Sequence, residues 1–135
     1  MLKYGAETTI QASAEKIWAI LIDGVNYPHW DPGMAKLEGR IALGEKITAH
    51  TTFSDRAFPV KVSEFVPNKK MVWSSGMPLG LFKGARSFVL TENGDKTHVR
   101  VEEVFSGPMV RFFPIPDLQP HFDNFVNGLK EEAEK

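Results

Sequence analysis

The sequence contains no cysteine. That excludes a disulfide framework, a thiolate nucleophile and a cysteine-ligated metal, and nothing in the chain calls for an oxidising compartment. It also lacks an excess of either charge: 16 basic and 17 acidic residues are scattered along 135 positions. With no polybasic stripe to meet a phosphate backbone or an anionic bilayer, nucleic acid is not an expected partner. Long apolar runs are missing too. Met1 to Ile10 mixes Lys3 and Glu7 with apolar residues, so neither an export signal nor stable membrane insertion is expected, and the cytoplasm is the default location. No G-x-S-x-G elbow, phosphate-binding loop or dinucleotide fingerprint occurs, and none of His29, His50, His98 and His121 forms a helical i, i+4 ligand pair. No cofactor and no metal are expected.

What is present is enough for a folded core. Hydrophobic residues make up 42% of the chain and charged ones 24%, which separates it from disordered sequences. Its length suits one domain spanning 1–135. Alternation from Lys3 to Ile10 predicts a strand. Ser13 then caps a helix carrying Ile17, Ile20 and Leu21 on one stripe and ending near Asp23-Gly24. The proline-rich stretch from Asn26 to Gly33 reads as a packed connector anchored by Tyr27 and Trp30.

Beyond Gly44 a run of hairpins is expected. A turn at Ser54 to Ala57 opposes Phe53 to Phe58, Thr51 to Val60, Ala49 to Val62 and Ile47 to Glu64. A turn at Pro67 to Lys70 opposes Val66 to Met71, Glu64 to Trp73 and Val62 to Ser75. Both place the same residues of the shared strand on one face. A loop or broken strand end is expected over Gly76 to Gly80. A third hairpin at Asn93-Gly94 gathers Arg86, Phe88, Leu90, Thr97, Val99, Val101, Glu103 and Phe105 on a mainly apolar face, provided no bulge interrupts it. Pro114 and Pro116 precede a final helix from Asp117, its N-cap, to about Glu134. Leu118, Phe122, Phe125, Val126 and Leu129 form its apolar stripe, and Pro120 falls in its first turn. The concave side of the sheet is the only extended apolar surface available to cover that stripe. The class is therefore α+β.

Several motifs stand in a telling order: Ile10-Gln11-Ala12-Ser13-Ala14-Glu15-Lys16-Ile17-Trp18, then Asp23 with Tyr27, Trp30 and Pro32, then Gly39 and Gly44, Val66-Pro67 with Trp73, and Phe105-Ser106-Gly107. The set resembles the SRPBCC superfamily of helix-grip proteins, also described as START-like or polyketide cyclase-like, across essentially the whole chain. The resemblance implies a curved antiparallel sheet of about seven strands wrapped around a C-terminal helix, with two short helices after the first strand. It further implies a deep pocket for a lipid, sterol, polyketide or other small hydrophobic molecule. The prolines between Gly107 and Gln119 depart from the family's long final helix.

Ligand-contacting residues expected on this basis are Trp30, Phe53, Phe58, Trp73, Arg86, Phe88, Glu103, Phe105, Phe122 and Phe125. The same aromatics would equally serve as a filled core. Arg86 and Glu103, diagonally related on an otherwise apolar face, must pair or reach water. They would form a structural ion pair, orient a ligand's polar group, or, for Glu103, supply a general base. Glu64 faces inward by the same counting, near a strand end open to solvent. His29 beside Asp31, and His121 on the final helix, would be proton shuttles if they lie at an opening. Three roles remain open: a non-catalytic carrier or sensor, a cofactor-independent cyclase or dehydratase, and a protein-interaction or stress-response module. The last would use an apolar patch at Met77 to Phe82, which would otherwise fold over the pocket mouth. A monomer or weak homodimer is expected.

Overall fold

Period-two patterning from Leu2 to Ile10 produces strand β1, and the Ser13 hydroxyl then accepts the Lys16 N–H at 3.1 Å to start helix α1, Ala14–Leu21. The computed structural model describes residues 1–112 and 115–135, so Pro114 lies outside the described residues. After α1, a 3-10 turn at Gly24–Asn26 leads into one turn of α-helix, α2, Tyr27–Trp30. The connector is thus more regular than its prolines suggested, because Pro28 sits in the first turn of α2, where a missing N–H costs nothing. Strands β2 (Met34–Glu38), β3 (Lys46–Thr51), β4 (Ala57–Val66), β5 (Lys70–Gly76), β6 (Lys83–Asn93) and β7 (Lys96–Ser106) follow, and helix α3 (Gln119–Ala133) comes last.

The seven strands form one antiparallel sheet in the order β1-β7-β6-β5-β4-β3-β2. From β2 to β7 the chain meanders, while β1 closes onto β7, and the segment carrying α1 and α2 crosses from one edge to the other. The apolar stripe of α3, Phe122, Phe125, Val126, Leu129 and Ala133, is buried against Ile10, Met71, Phe88, Val99 and Val101 of the concave face in one continuous core.

Register differs from expectation in three places. Between β3 and β4 the last pair is His50 with Ala57, so Ala49 opposes Phe58 and Ile47 opposes Val60. The loop is wider because Thr52 is held elsewhere: its N–H donates to Gly33 O at 3.0 Å and its hydroxyl to Pro32 O at 3.2 Å. Between β4 and β5 the turn has three residues, with Asn68 at φ 66° and Val66 opposite Lys70. A bulge between Val62 and Glu64 then inserts Ser63 and brings Val62 opposite Trp73, where Ser75 was expected. Glu64 consequently faces out, 3.5 Å from Lys70, and Phe65 turns in to meet the Trp18 ring edge-on at 5.3 Å. Between β6 and β7 the turn residues are Gly94 and Asp95, which puts Arg86 directly opposite Glu103 rather than diagonal to it. That register is continuous, and the faces are those expected.

Helix α3 begins two residues later than expected. Asp117 does not cap it as the residue before its first turn; its Oδ1 accepts the Gln119 N–H at 3.0 Å, and Leu118 takes the cap position. Gln119 in turn donates to Gly5 O at 2.6 Å, fastening the start of α3 to β1.

Candidate functional site

The ends of β3, β5 and β7 and the starts of β4, β6 and α3 lie at one end of the sheet, and here polar groups are buried. Asp31 follows α2 with an extended backbone, its N–H still donating to Tyr27 O at 2.8 Å. Pro32 and Gly33 then turn the chain so that Asp31 Oδ1 accepts the Gly33 N–H at 3.0 Å, an Asx turn. The carboxyl ends up only 5% exposed. Around it Gly33, Met34, Thr51, Phe53, Arg86, Leu118, His121, Phe122 and Phe125 enclose a cavity of about 30 Å³. That is room for about one water-sized group, an order of magnitude below a drug-sized pocket.

Burial holds the Asp31 carboxyl above its usual pKa, and the Gly33 N–H, Arg86 and His121 pull it back only in part. Arg86 is committed to another partner. Its Nε donates to Glu103 Oε1 at 2.8 Å, a second guanidinium nitrogen reaches the same oxygen at 2.7 Å, and its carbon sits 4.8 Å from the centroid of the Phe122 ring. His121 stacks on Phe53 with centroids 3.9 Å apart, forming a two-ring cover. Beneath the cavity, aromatics interlock: Tyr27 on Trp30 at 4.7 Å, Trp30 on Phe125 at 5.0 Å, and Trp73 on Phe88 at 4.8 Å. Burial drives the Tyr27 hydroxyl well above its usual pKa, and it donates to Leu21 O at 2.5 Å. Trp30 Nε1, Trp73 Nε1 and Thr51 Oγ1 are buried with no hydrogen-bond partner among the described residues.

The structure thus divides the residues expected to touch ligand. Phe53, Arg86, Phe122 and Phe125 line the cavity. Trp30, Trp73 and Phe88 are packed core beneath it. Glu103 stands behind Arg86. Phe105 lies near the sheet end, 6.0 Å from Phe82 and against Gly84. Phe58, expected at the site, is 39% exposed and outside the cavity wall, because β4 pairs with β5 only from Lys61 onward and its first residues, paired to β3 alone, run past β5. The same projection lets Pro59 occupy a strand, since no neighbour needs its missing N–H on that side. His29 points to Glu132 at 3.8 Å, whereas His121 does reach the opening. Asp31 was missed as a site residue, although Asp-Pro-Gly after an aromatic helix is itself a signal for an Asx turn. Among the described residues no three His, Asp or Glu side chains gather as a metal site would require, and no helix is long and apolar enough to cross a membrane.

A curled seven-stranded sheet gripping a C-terminal helix, with a polar chamber at its open end, defines an SRPBCC (START-like) helix-grip protein. The chain belongs to the polyketide cyclase / dehydrase and lipid transport family, whose model matches residues 1–134. No curated protein matches it. Solved structures with the same fold include the Aha1 dimer from Colwellia psychrerythraea (TM-score 0.73, 23% identity, covering 99% of this chain and 97% of that one). A START superfamily protein from Mycobacterium smegmatis gives 0.72 at 18% identity over 98% and 97%. A protein from Mesorhizobium loti gives 0.73 at 19% identity over 96% and 95%.

Proposed function

We propose that this protein is a non-catalytic carrier or sensor of a small, mainly apolar molecule, held between the concave face of the sheet and α3. One observation carries the reading: Asp31, Arg86 and His121 line one small chamber at the open end, and the Asp31 carboxyl is buried there with only a backbone N–H to meet it, which is costly for a core packed for stability alone. The family, named for polyketide chemistry and lipid transport, supports the ligand class. Because the chamber is small, the ligand's bulk enters by displacing the Phe53–His121 cover and the first turn of α3. Phe53 is 40% exposed and sits on a loop, so its displacement opens no core. Native mass spectrometry of protein purified from cells, with extraction of whatever co-purifies, tests this. A discrete apolar ligand that is lost in Phe122→Trp is the expected result. A bare protein that takes up nothing from a lipid and aromatic panel overturns the reading.

A surface role is favoured by a separate observation. Leu79 is 96% exposed, with Met77 and Leu81 partly exposed beside it, at the same end as the chamber. Such a patch would let the protein dock on a partner or form a weak homodimer, and one relative of the same fold is a dimer. Light scattering across a concentration series, repeated on Leu79→Ser, separates self-association from a monomeric carrier.

A further inference from the structure

Resting on the binding reading above, we infer that the chamber selects ligands whose polar head donates hydrogen bonds, an ammonium or a hydroxyl, and disfavours carboxylates. Arg86 would suggest the opposite preference, but its charge is already matched. Two of its nitrogens converge on Glu103 Oε1 and its face lies over Phe122. Asp31 is the group left over. Its carboxyl forms no ion pair among the described residues, accepts there only the Gly33 N–H, and is almost wholly buried. Thr51 Oγ1, on the same wall, is also without a partner among them. The ionised Asp31 carboxyl only accepts, and the Thr51 hydroxyl serves either way, so a donor head satisfies acceptor capacity that otherwise stays desolvated. The rings of Phe53, Phe122 and Phe125 complete the wall and give the carbon next to the head group an apolar lining. A carboxylate would instead add a second negative group beside the buried Asp31 carboxyl, against an arginine already paired with Glu103. The volume agrees, since about 30 Å³ holds a head group while the tail runs out under Phe53 along the apolar rim.

Gly33 supplies a steric control. A Cβ there would stand 3.5 Å from Asp31 Oδ1 and 3.6 Å from His121 Nδ1, ordinary contact distances, so Gly33→Ala fills the chamber without disturbing its walls. Octylamine, octan-1-ol and octanoate share one tail and differ only in the head. Their affinities, read by displacement of a fluorescent apolar probe at neutral pH, are expected to favour amine and alcohol over octanoate by at least about tenfold. Asp31→Asn erases the gap between amine and octanoate, and Gly33→Ala weakens the amine and the alcohol. The amine-to-alcohol ratio separates charge from hydrogen bonding as the source of the preference. Octanoate binding as tightly as the amine, or an order unchanged in Asp31→Asn, overturns the inference and leaves the binding reading standing. Failure of the probe and all three compounds to bind removes the binding reading itself, and the inference with it.

Discussion

Arg86 and Glu103 stand directly opposite one another on β6 and β7, joined by two contacts to one carboxylate oxygen, on the face of the sheet that is otherwise apolar. Their side chains keep 26% and 16% of their exposure, so the pair is sheltered but not sealed. Removing one member leaves the other charged and poorly solvated. Arg86→Met or Glu103→Gln alone is expected to cost about 1–3 kcal/mol in urea unfolding. The double variant is expected to cost less than the sum. Strict additivity would show that the two residues do not act as a unit. If the protein turns over a substrate after all, Glu103→Gln retaining full rate removes Glu103 from that mechanism.

Asp31 makes stability depend on pH in a definite direction. Its folded pKa lies above its ordinary 3.8, so at low pH both states are protonated. As pH rises the unfolded chain ionises first, and stability falls until the folded carboxyl ionises as well. Asp31→Asn, which can still accept the Gly33 N–H, should therefore raise Tm at pH 7 and leave it unchanged at pH 3. An equal shift at both values would mean that ionisation of Asp31 is not the cause.

Gly128 is fixed by close approach. A Cβ on it would lie 2.0 Å from Trp30 O, a backbone atom that has nowhere to go. Alanine gains about 1 kcal/mol of helix propensity, yet separating α3 from α2 outweighs it. Gly128→Ala is expected to lose about 1–3 kcal/mol net in thermal or urea unfolding. Asn127→Ala, on the exposed side of the same turn, is the matched control and should be neutral or slightly stabilising.

Tyr27 secures the end of α1 through its bond to Leu21 O. Tyr27→Phe keeps the ring in the aromatic cluster and strands that carbonyl, at a cost of about 1–2 kcal/mol. Hydrogen exchange should show the loss at the last turn of α1. Unaltered protection there would mean that the hydroxyl is dispensable.

Much of this architecture was legible because side-chain alternation reports which face a residue takes, and on β6 and β7 the faces survived an error in register, whereas on β4 the Ser63 bulge exchanged Glu64 for Phe65. The Gly94-Asp95 turn lies one residue beyond the expected one, a change that shifts β7 by two against β6, so Phe88, Leu90, Val99 and Val101 stayed inward. Alternation says nothing about how far a strand runs past its neighbour, which is why Phe58 was placed at a site and is found at the rim. Nor does it speak for loops. Asp31 is carried into the interior by an Asx turn and a tether from Thr52, both local devices between elements rather than within them. Cavity volume was beyond the sequence for a related reason: Trp30, Trp73, Phe88 and Phe125 serve a wall and a filling equally well, and only their packing decides.

Ser63 has an implication for how chains of this kind are compared. The β4–β5 turn is one residue shorter than a four-residue hairpin loop, and the strand before it carries one residue more, so the two cancel by the time Val62 meets Trp73. An insertion in that turn and a deletion at Ser63 are therefore complementary edits. Two sequences differing by both would look out of step through the hairpin when aligned letter by letter, while their backbones superpose on either side of it.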